Sequence, residues 1–398
     1  MSIASEIQRI KNNIAAAYSA CESKGADLPQ LKNSNNLADT IAGIPQGTGN
    51  VEVEPKYVNF IDSDGTILYS YTESETQALT ALPPLPTAQG YIYQSWNWTL
   101  ADIKANGFPL TVGAVRIPSD GKTHLTFDLL DGDNLTLTIP FRESSGREIT
   151  IDWGDGASGI YTASPAEHTY ADCGRYVVCA DANDSFRLNT LSSSTAIRLV
   201  KVDLGERFGV NNSTFFGCLA LEEVSVPQNV TTFGTSMFSG CCSIKSITVP
   251  SPFGEIGAGS FEYCTSIKSV SLPKSVSQYQ SGCFSGSSSL RTIMLPVNIG
   301  KINDNTFRSC KSLQSINIPP NINQVGANAF NDCSNLRHID LSAKTSVPAL
   351  SSVSAFSGIS SSAVFYVRNA EMLAAFQSAT NWSTFANKMQ IGGKYADS

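Results

Sequence analysis

The stretch FEYCTSIKSVSLP, residues 261–273, sets a cysteine three residues after a phenylalanine and follows it with an apolar pattern that stops at a proline. Moved by 23 residues either way, the same grammar returns: FSGCCSIKSITVP from Phe238, FSGSSSLRTIMLP from Phe284, FRSCKSLQSINIP from Phe307 and FNDCSNLRHIDLS from Phe330. The anchors Phe215, Phe238, Phe261, Phe284, Phe307, Phe330 and Phe356 are spaced by five intervals of 23 and a last one of 26. Such regularity marks an array of repeats.

Within each unit, branched apolar residues recur at fixed offsets, as in Leu221, Val224 and Val226 or Leu313, Ile316 and Ile318. The pattern is L-x-x-L-x-L, which fits one short strand per coil, stacked in parallel on the next at about 4.8 Å. No unit can bury its own apolar face, so the stack supplies the core. Pro227, Pro250, Pro273, Pro296 and Pro319 end the strands because proline offers no ladder donor. A second apolar pair, such as Val230 with Phe233 or Ile322 with Val325, marks the return path. The segment IRLVKVDLG, with Leu199, Val202 and Leu204, reads as the first coil. Cys218, Cys241, Cys264, Cys310 and Cys333 share one repeat position, occupied once by Ser287, which points to a small, buried, weakly polar packing site. In-register side chains point the same way, and zinc-ligand spacing is missing, so neither disulfides nor a metal is expected along this row. A bridge between Cys173 and Cys179 stays open.

From Phe215 to about Leu341 the unit resembles the BspA-like class of leucine-rich repeats. That resemblance implies a binding surface rather than a catalyst, as in bacterial surface adhesins and some phage proteins. The outward strand positions are then the candidate contact face: Glu223, Ser225, Ser246, Thr248, Ser269, Ser271, Thr292, Met294, Ser315, Asn317, His338 and Asp340. Small hydroxyls dominate there. They suit hydrogen bonding to a glycan or to the backbone of a surface protein, and they equally suit any exposed strand.

Ahead of the repeats, residues 148–184 alternate strand and turn signals. Through its W-G-D-G, H-T-Y and G-x-Y-x-V elements the segment resembles a PKD-type immunoglobulin-like domain, which implies a spacer. Asp152, Asp155 and His168 admit two readings, a metal or acid–base site, or turn amides bonded by carboxylates with a histidine bracing the loop. Further forward, YVNFIDSDGTILYSY, residues 57–71, spells a hairpin around Asp64 and Gly65. A proline-rich stretch follows, then YQSWNWTLADIKANG, where Thr99 caps a short helix. Trp96 and Trp98 suit either a sugar face or a small core. This front part resembles modules of tail-associated proteins in phages and prophages of gut bacteria.

At the N-terminus, Ile3, Ile7, Ile10, Ile14, Ala17 and Cys21 are spaced 4, 3, 4, 3 and 4, an a/d stripe that calls for oligomerisation, another protein, or a fold-back onto its own chain. A second small helix is expected around Leu37, Ile41 and Ile44. After Phe356 the period fails; a strand from Val364 to Val367, a helix from about Asn369 to Ala379, and a last strand or coil with Met389 and Ile391 resemble the closing unit of BspA-like arrays.

The expected organisation is a mixed α/β multidomain chain: residues 1–47 an N-terminal helical attachment segment, 48–108 a hairpin-helix module, 109–192 a PKD-like β-sandwich, 193–362 the solenoid and 363–398 its C-terminal cap. With 27 basic and 34 acidic residues the net charge is -7, which disfavours nucleic acid as a partner. No eighteen-residue apolar run predicts a membrane span, no signal-peptide pattern is visible, and no cofactor motif or catalytic signature occurs. The leading expectation is a non-enzymatic phage or prophage tail fibre. It would trimerise and join tail or baseplate proteins through its N-terminus, assemble in the host cytoplasm, and present the repeats to a bacterial surface glycan or protein. The alternative is a bacterial cell-surface adhesin.

Overall fold

The computed structural model describes residues 57–107, 109–130, 134–142, 148–182, 186–209 and 211–394. The stripe Ile3, Ile7, Ile10, Ile14 and Ala17, and the small helix expected after it, lie outside the described residues.

Each repeat forms one coil. Ser246–Thr248 pairs in parallel with Ser269–Ser271, Ser315–Asn317 with His338–Asp340, and His338–Asp340 with Val364–Val367. Residue pairs such as Ser246 and Ser269 are one period apart, so equivalent side chains stack directly and Ile247, Val270, Ile316 and Ile339 all point into the core. Opposite them run the two-residue strands of the return path, Thr232–Phe233, Glu255–Ile256 and Gln278–Tyr279 in one ladder, Lys301–Ile302, Gln324–Val325 and Ala349–Leu350 in another. The fold is mostly β with few helices.

The anchor phenylalanines form a ring column. From Phe215 to Phe356 successive centroids are 5.1–5.7 Å apart and their planes lie within 16° of parallel. Their backbone amides tie the coils together: Phe215, Phe238, Phe261, Phe284, Phe307 and Phe330 each donate to a carbonyl of the following coil at 2.8–3.0 Å. The cysteine position completes the column. Cys241, Cys264, Cys310 and Cys333 donate Sγ–H to the carbonyl of the previous anchor, Phe215, Phe238, Phe284 and Phe307, at 3.1–3.2 Å, and Ser287 Oγ does the same to Phe261 at 2.8 Å. The site requires a small donor that fits a closed core, and both residue types meet that need. All five cysteines of the row are free, as is Cys179, so no bridge joins Cys173 to Cys179.

One expected strand is absent. Thr292–Met294 occupies the strand position of its coil but joins no ladder. Tyr279, fully buried where sister coils carry Phe233, Ile256, Ile302 or Val325, sends its hydroxyl across the coil to Met294 O at 3.2 Å. The Met294 carbonyl is thereby engaged by a side chain rather than by a neighbouring strand.

The first coil continues a neighbouring sheet. Leu199–Asp203 pairs in parallel with Glu223–Ser225 and antiparallel with Thr123–Leu129, giving a six-stranded sheet that also holds Gly174–Ala182, Ile149–Asp152 and Ser158–Tyr161. The apolar side chains from Leu125 to Met389 therefore form one continuous core. At the far end, Met389–Ile391 extends the last sheet beside Val364–Val367, the helix Ala370–Ser378 starts at the cap Asn369, and Phe365, Trp382 and Phe385 cover Phe356, with Phe376 edge-on to Trp382.

The front module is a four-stranded sheet ordered Ile67–Tyr71, Val58–Ile61, Leu110–Pro118, Tyr91–Trp96. Leu110–Pro118 belongs here, pairing with Val58–Ile61 and Tyr91–Trp96, so the sheet continues past residue 108, the end of the module expected from the sequence. The hairpin turns at Gly65 with φ +86°, and Thr99 caps the helix Leu100–Ala105. A further helix, Glu73–Ala78, follows the hairpin. Its Thr72–Glu75 capping box satisfies two orphan amides reciprocally.

Candidate functional site: the strand face and its groove

The front module sits on the strand face of the first coils through a polar interface. Arg116 pairs with Glu223 and donates Nε to Ser225 Oγ at 3.2 Å, while its guanidinium lies 4.0 Å from the Tyr91 ring centroid. Lys201 reaches Glu223 at 3.2 Å, and Tyr91 donates to Asp203 at 2.9 Å. Burial raises the Tyr91 hydroxyl above its usual range, which keeps it a donor. Two coils on, Asn97 Nδ2 donates to Val249 O at 2.9 Å and Ser271 Oγ at 3.0 Å, its Oδ1 accepts from Gly113 N at 2.9 Å, and Trp98 Nε1 donates to Leu272 O at 2.7 Å. Lys274 bonds Asp102 at 2.7 Å and holds that carboxyl below its usual range. Gly113 is the closest approach: a Cβ there would stand 2.1 Å from Thr248 Oγ1.

The expectation of one continuous contact face is corrected by this docking. Ser225, Ser246, Thr248 and Ser271 are buried, and Glu223 is engaged with Arg116, Lys201 and Ser63. The hydroxyls of Ser225, Ser246 and Ser271 and the Glu223 carboxylate bond the module, whereas Thr248 packs against Gly113 with no hydrogen bond to its hydroxyl. Asp340 is buried by another route, accepting from Ser342 N at 2.8 Å and Lys394 N at 3.3 Å where the C-terminal strand end crosses the face. Thr292 is exposed, and Ser269, Met294, Ser315, Asn317 and His338 are half-buried. The His338 ring stacks on Tyr366 at 4.4 Å.

A groove of about 220 Å³ opens where the module stops. Its floor is Val270, Leu272, Ile293 and Met294, its solenoid rim Thr292, Ser315 and Asn317, and its module wall Asn59 with Pro109, Leu110 and Thr111. No lining residue carries a charge. The chemistry available is hydrogen bonding by hydroxyl and carboxamide groups beside an apolar floor. Lys394, which does not line the groove, pairs with Glu73 at 2.9 Å and lies 5.1 Å from the Tyr57 ring centroid.

The other constellations singled out from the sequence are structural. Trp96 is 7% exposed, donates Nε1 to Pro83 O at 2.9 Å and meets Phe60 edge-on, and Trp98 is the docking contact described above. Asp152 accepts from Gly154 N at 2.9 Å and Asp155 from Ala157 N at 3.0 Å. His168 bonds Asp155 at 2.7 Å, holding its carboxyl below the usual range, and stacks on the buried Trp153. Among the described residues, no three His, Cys, Asp or Glu side chains gather to hold a metal, and no helix is long and apolar enough to cross a membrane.

Residues 208–313 and 280–370 match the family model "BspA type Leucine rich repeat region", with 6 copies. No curated protein matches the chain. Among solved structures the chain is similar to a leucine-rich repeat protein of T. pallidum, with 25% identity, 39% of this chain and 74% of that one covered, and a TM-score of 0.33. It is similar also to a leucine-rich repeat protein from Bacteroides ovatus, with 18% identity, 63% and 67% coverage, and a TM-score of 0.41. A leucine-rich cell surface protein from Faecalibacterium prausnitzii shows 20% identity, 46% and 63% coverage, and a TM-score of 0.32. The 23-residue coils, their ring column and the matching family model together make residues 208–370 a BspA-type leucine-rich repeat region.

Proposed function

We propose that this protein works by binding rather than by catalysis, as a cell-surface adhesin of the BspA-like kind whose groove holds an extended segment of a surface protein. One observation carries the reading: the front module shields the strand face as far as Leu272, and beyond it Thr292, Ser315 and Asn317 rim an uncharged groove with an apolar floor. An extended backbone supplies amides and carbonyls for the rim and alternate apolar side chains for the floor. Charged ligands find no counter-charge there. In this reading the strands from Thr123 to Leu188, ahead of the first coil, act as a PKD-like spacer, and residues 363–398 cap the stack.

The test is attachment of the fluorescently labelled chain to a panel of intact bacterial and epithelial cells. The double substitution Thr292→Lys and Asn317→Lys is expected to lower attachment about tenfold, since each side chain fills the groove and brings an uncompensated charge. Protease treatment of the target cells is expected to do the same. Attachment by the double variant equal to the parent removes the groove from the mechanism.

A second reading, the tail fibre, is favoured by the a/d spacing of Ile3, Ile7, Ile10, Ile14 and Ala17. There the N-terminus would trimerise and join tail proteins, while the repeats face a bacterial surface. Mass measurement in solution separates the two: the tail fibre needs a trimer for the full chain and a monomer for a chain starting at Val51. Two monomers exclude it.

A further inference from the structure

Two residues after each anchor phenylalanine the chain turns with a left-handed backbone, φ between +58° and +78° at every coil from Gly217 to Gly358. Four coils place glycine there, and two others place Ser309 and Asp332. The remaining coil places Tyr263, at φ +58° and 57% exposed. This conformation is nearly free for glycine and strained for a bulky side chain, and the exposed ring gains no core burial in return. Neither backbone preference nor packing accounts for a tyrosine at this point. The ring does have a seat: it lies over Gly286 of the next coil, where a Cβ would stand 2.5 Å from the ring.

Beside that ring a cavity of about 450 Å³ runs along the turn edge of the coils, away from the strand face and its groove. Its floor is lowered at Gly259 and Gly282, where sister coils carry Ser213, Ser236, Asn305 and Asn328. Its walls are Tyr263, Glu262, Arg308 and Asn305. The Glu262 carboxylate lies over Gly259, with Oε2 3.3 Å from the place of a Cβ. Among the described residues, Glu262 and Arg308 interact with each other through charge without a hydrogen bond, and the shielded Asn305 Oδ1 has no hydrogen-bond partner. An exposed ring, a carboxylate, a guanidinium and a carboxamide thus face one cavity with unused bonding capacity.

We propose that this cavity is a saccharide site in which a pyranose ring stacks on Tyr263 while its hydroxyls bond Glu262, Arg308 and Asn305. A pyranose presents an apolar C–H face to an aromatic ring and a rim of hydroxyls that both donate and accept. The planar side chains of Glu, Arg and Asn match such a rim: the carboxylate accepts, the guanidinium donates, and the amide does both. Burial raises the Glu262 carboxyl above its usual range, with Arg308 opposing, so bonds formed there work in a partly dried setting. The glycines supply room for a ring where a side chain would stand.

The experiment is a printed array of neutral, amino and uronic-acid oligosaccharides, followed by calorimetric titration of the strongest binder. Tyr263→Gly is expected to weaken that binding at least about tenfold while the melting temperature holds or rises, because glycine is what four sister coils carry. Glu262→Gln is expected to weaken it about threefold or more. Thr292→Lys with Asn317→Lys, in the separate groove, is expected to leave it unchanged. Failure of every arrayed glycan to bind, or undiminished binding by Tyr263→Gly, overturns the proposal.

Discussion

The thiol of Cys264 lies 3.1 Å from Phe238 O in a site with no free space around it, and Ser287 makes the equivalent bond to Phe261 O at 2.8 Å one coil later. Volume and donor capacity are therefore separate requirements, and substitutions pull them apart. Cys264→Ser keeps the donor and is expected to cost within about 1 kcal/mol. Cys264→Ala keeps the fit but deletes the donor. Because Phe238 O still accepts from Cys241 N at 3.0 Å, the expected loss is about 1–2 kcal/mol rather than that of an orphaned carbonyl. Cys264→Val loses the donor and adds volume, with about 3 kcal/mol expected. Urea denaturation midpoints rank the three, and a valine variant as stable as serine would refute the donor role. Phe261, stacked between Phe238 and Phe284, has the larger stake: Phe261→Ala is expected to cost about 3–5 kcal/mol.

The front module meets the solenoid through contacts that differ in kind from those inside the stack, being polar, long-range and centred on a glycine. A Cβ at Gly113 would lie 2.1 Å from Thr248 Oγ1 and 2.8 Å from its Cβ, and a central strand leaves no room to retreat. Gly113→Ala is therefore expected to loosen the docking by about 2–3 kcal/mol and to expose 57–118 to limited proteolysis while the repeats stay intact. Thr248→Gly in the same chain is expected to restore resistance. If Gly113→Ala is cleaved no faster than the parent, the interface is not held at this point. Sequence and structure also diverge here for a stated reason. The period, the return pairs, the hairpin at Gly65, the cap Thr99 and the helix from about Asn369 could be read because each is set by residues close in sequence or repeated many times. Docking could not be read, because Asn97 and Ser271 are 174 residues apart and a serine on a strand looks alike whether it meets water or Asn97. The helix Glu73–Ala78 was legible in principle from Thr72 and Glu75, and its shortness hid it. Thr292–Met294 spells a strand, yet its Met294 carbonyl accepts from the hydroxyl of Tyr279, fifteen residues earlier.

Across the molecule, a single core runs from Leu125 to Met389, so a perturbation repeated in many coils acts on one cooperative body. The buried thiols are such a perturbation in alkali. Burial pushes Cys333 up to about 12 and Cys241, Cys264, Cys283 and Cys310 far above their ordinary range. In the unfolded chain the same thiols ionise near about 8.5. Below that value both states hold their protons and stability does not change with pH. Above it the unfolded state releases protons that the folded state keeps, so stability falls until the folded thiols ionise in turn. Five such groups give a limiting slope of roughly 7 kcal/mol per pH unit, against a total stability on the order of 10 kcal/mol. The urea midpoint is therefore expected to be flat from pH 7 to 8, to decline through pH 9, and to reach zero between about pH 10 and 11. Replacing Cys333 by serine removes one ionising thiol from the unfolded chain and is expected to flatten the decline by about one fifth. Tyr279, buried and also pushed upward, adds to the loss at the top of the range and is spared by the substitution. A midpoint independent of pH up to 10.5 would mean that these five buried thiols meet water in the native state, against their burial in the core.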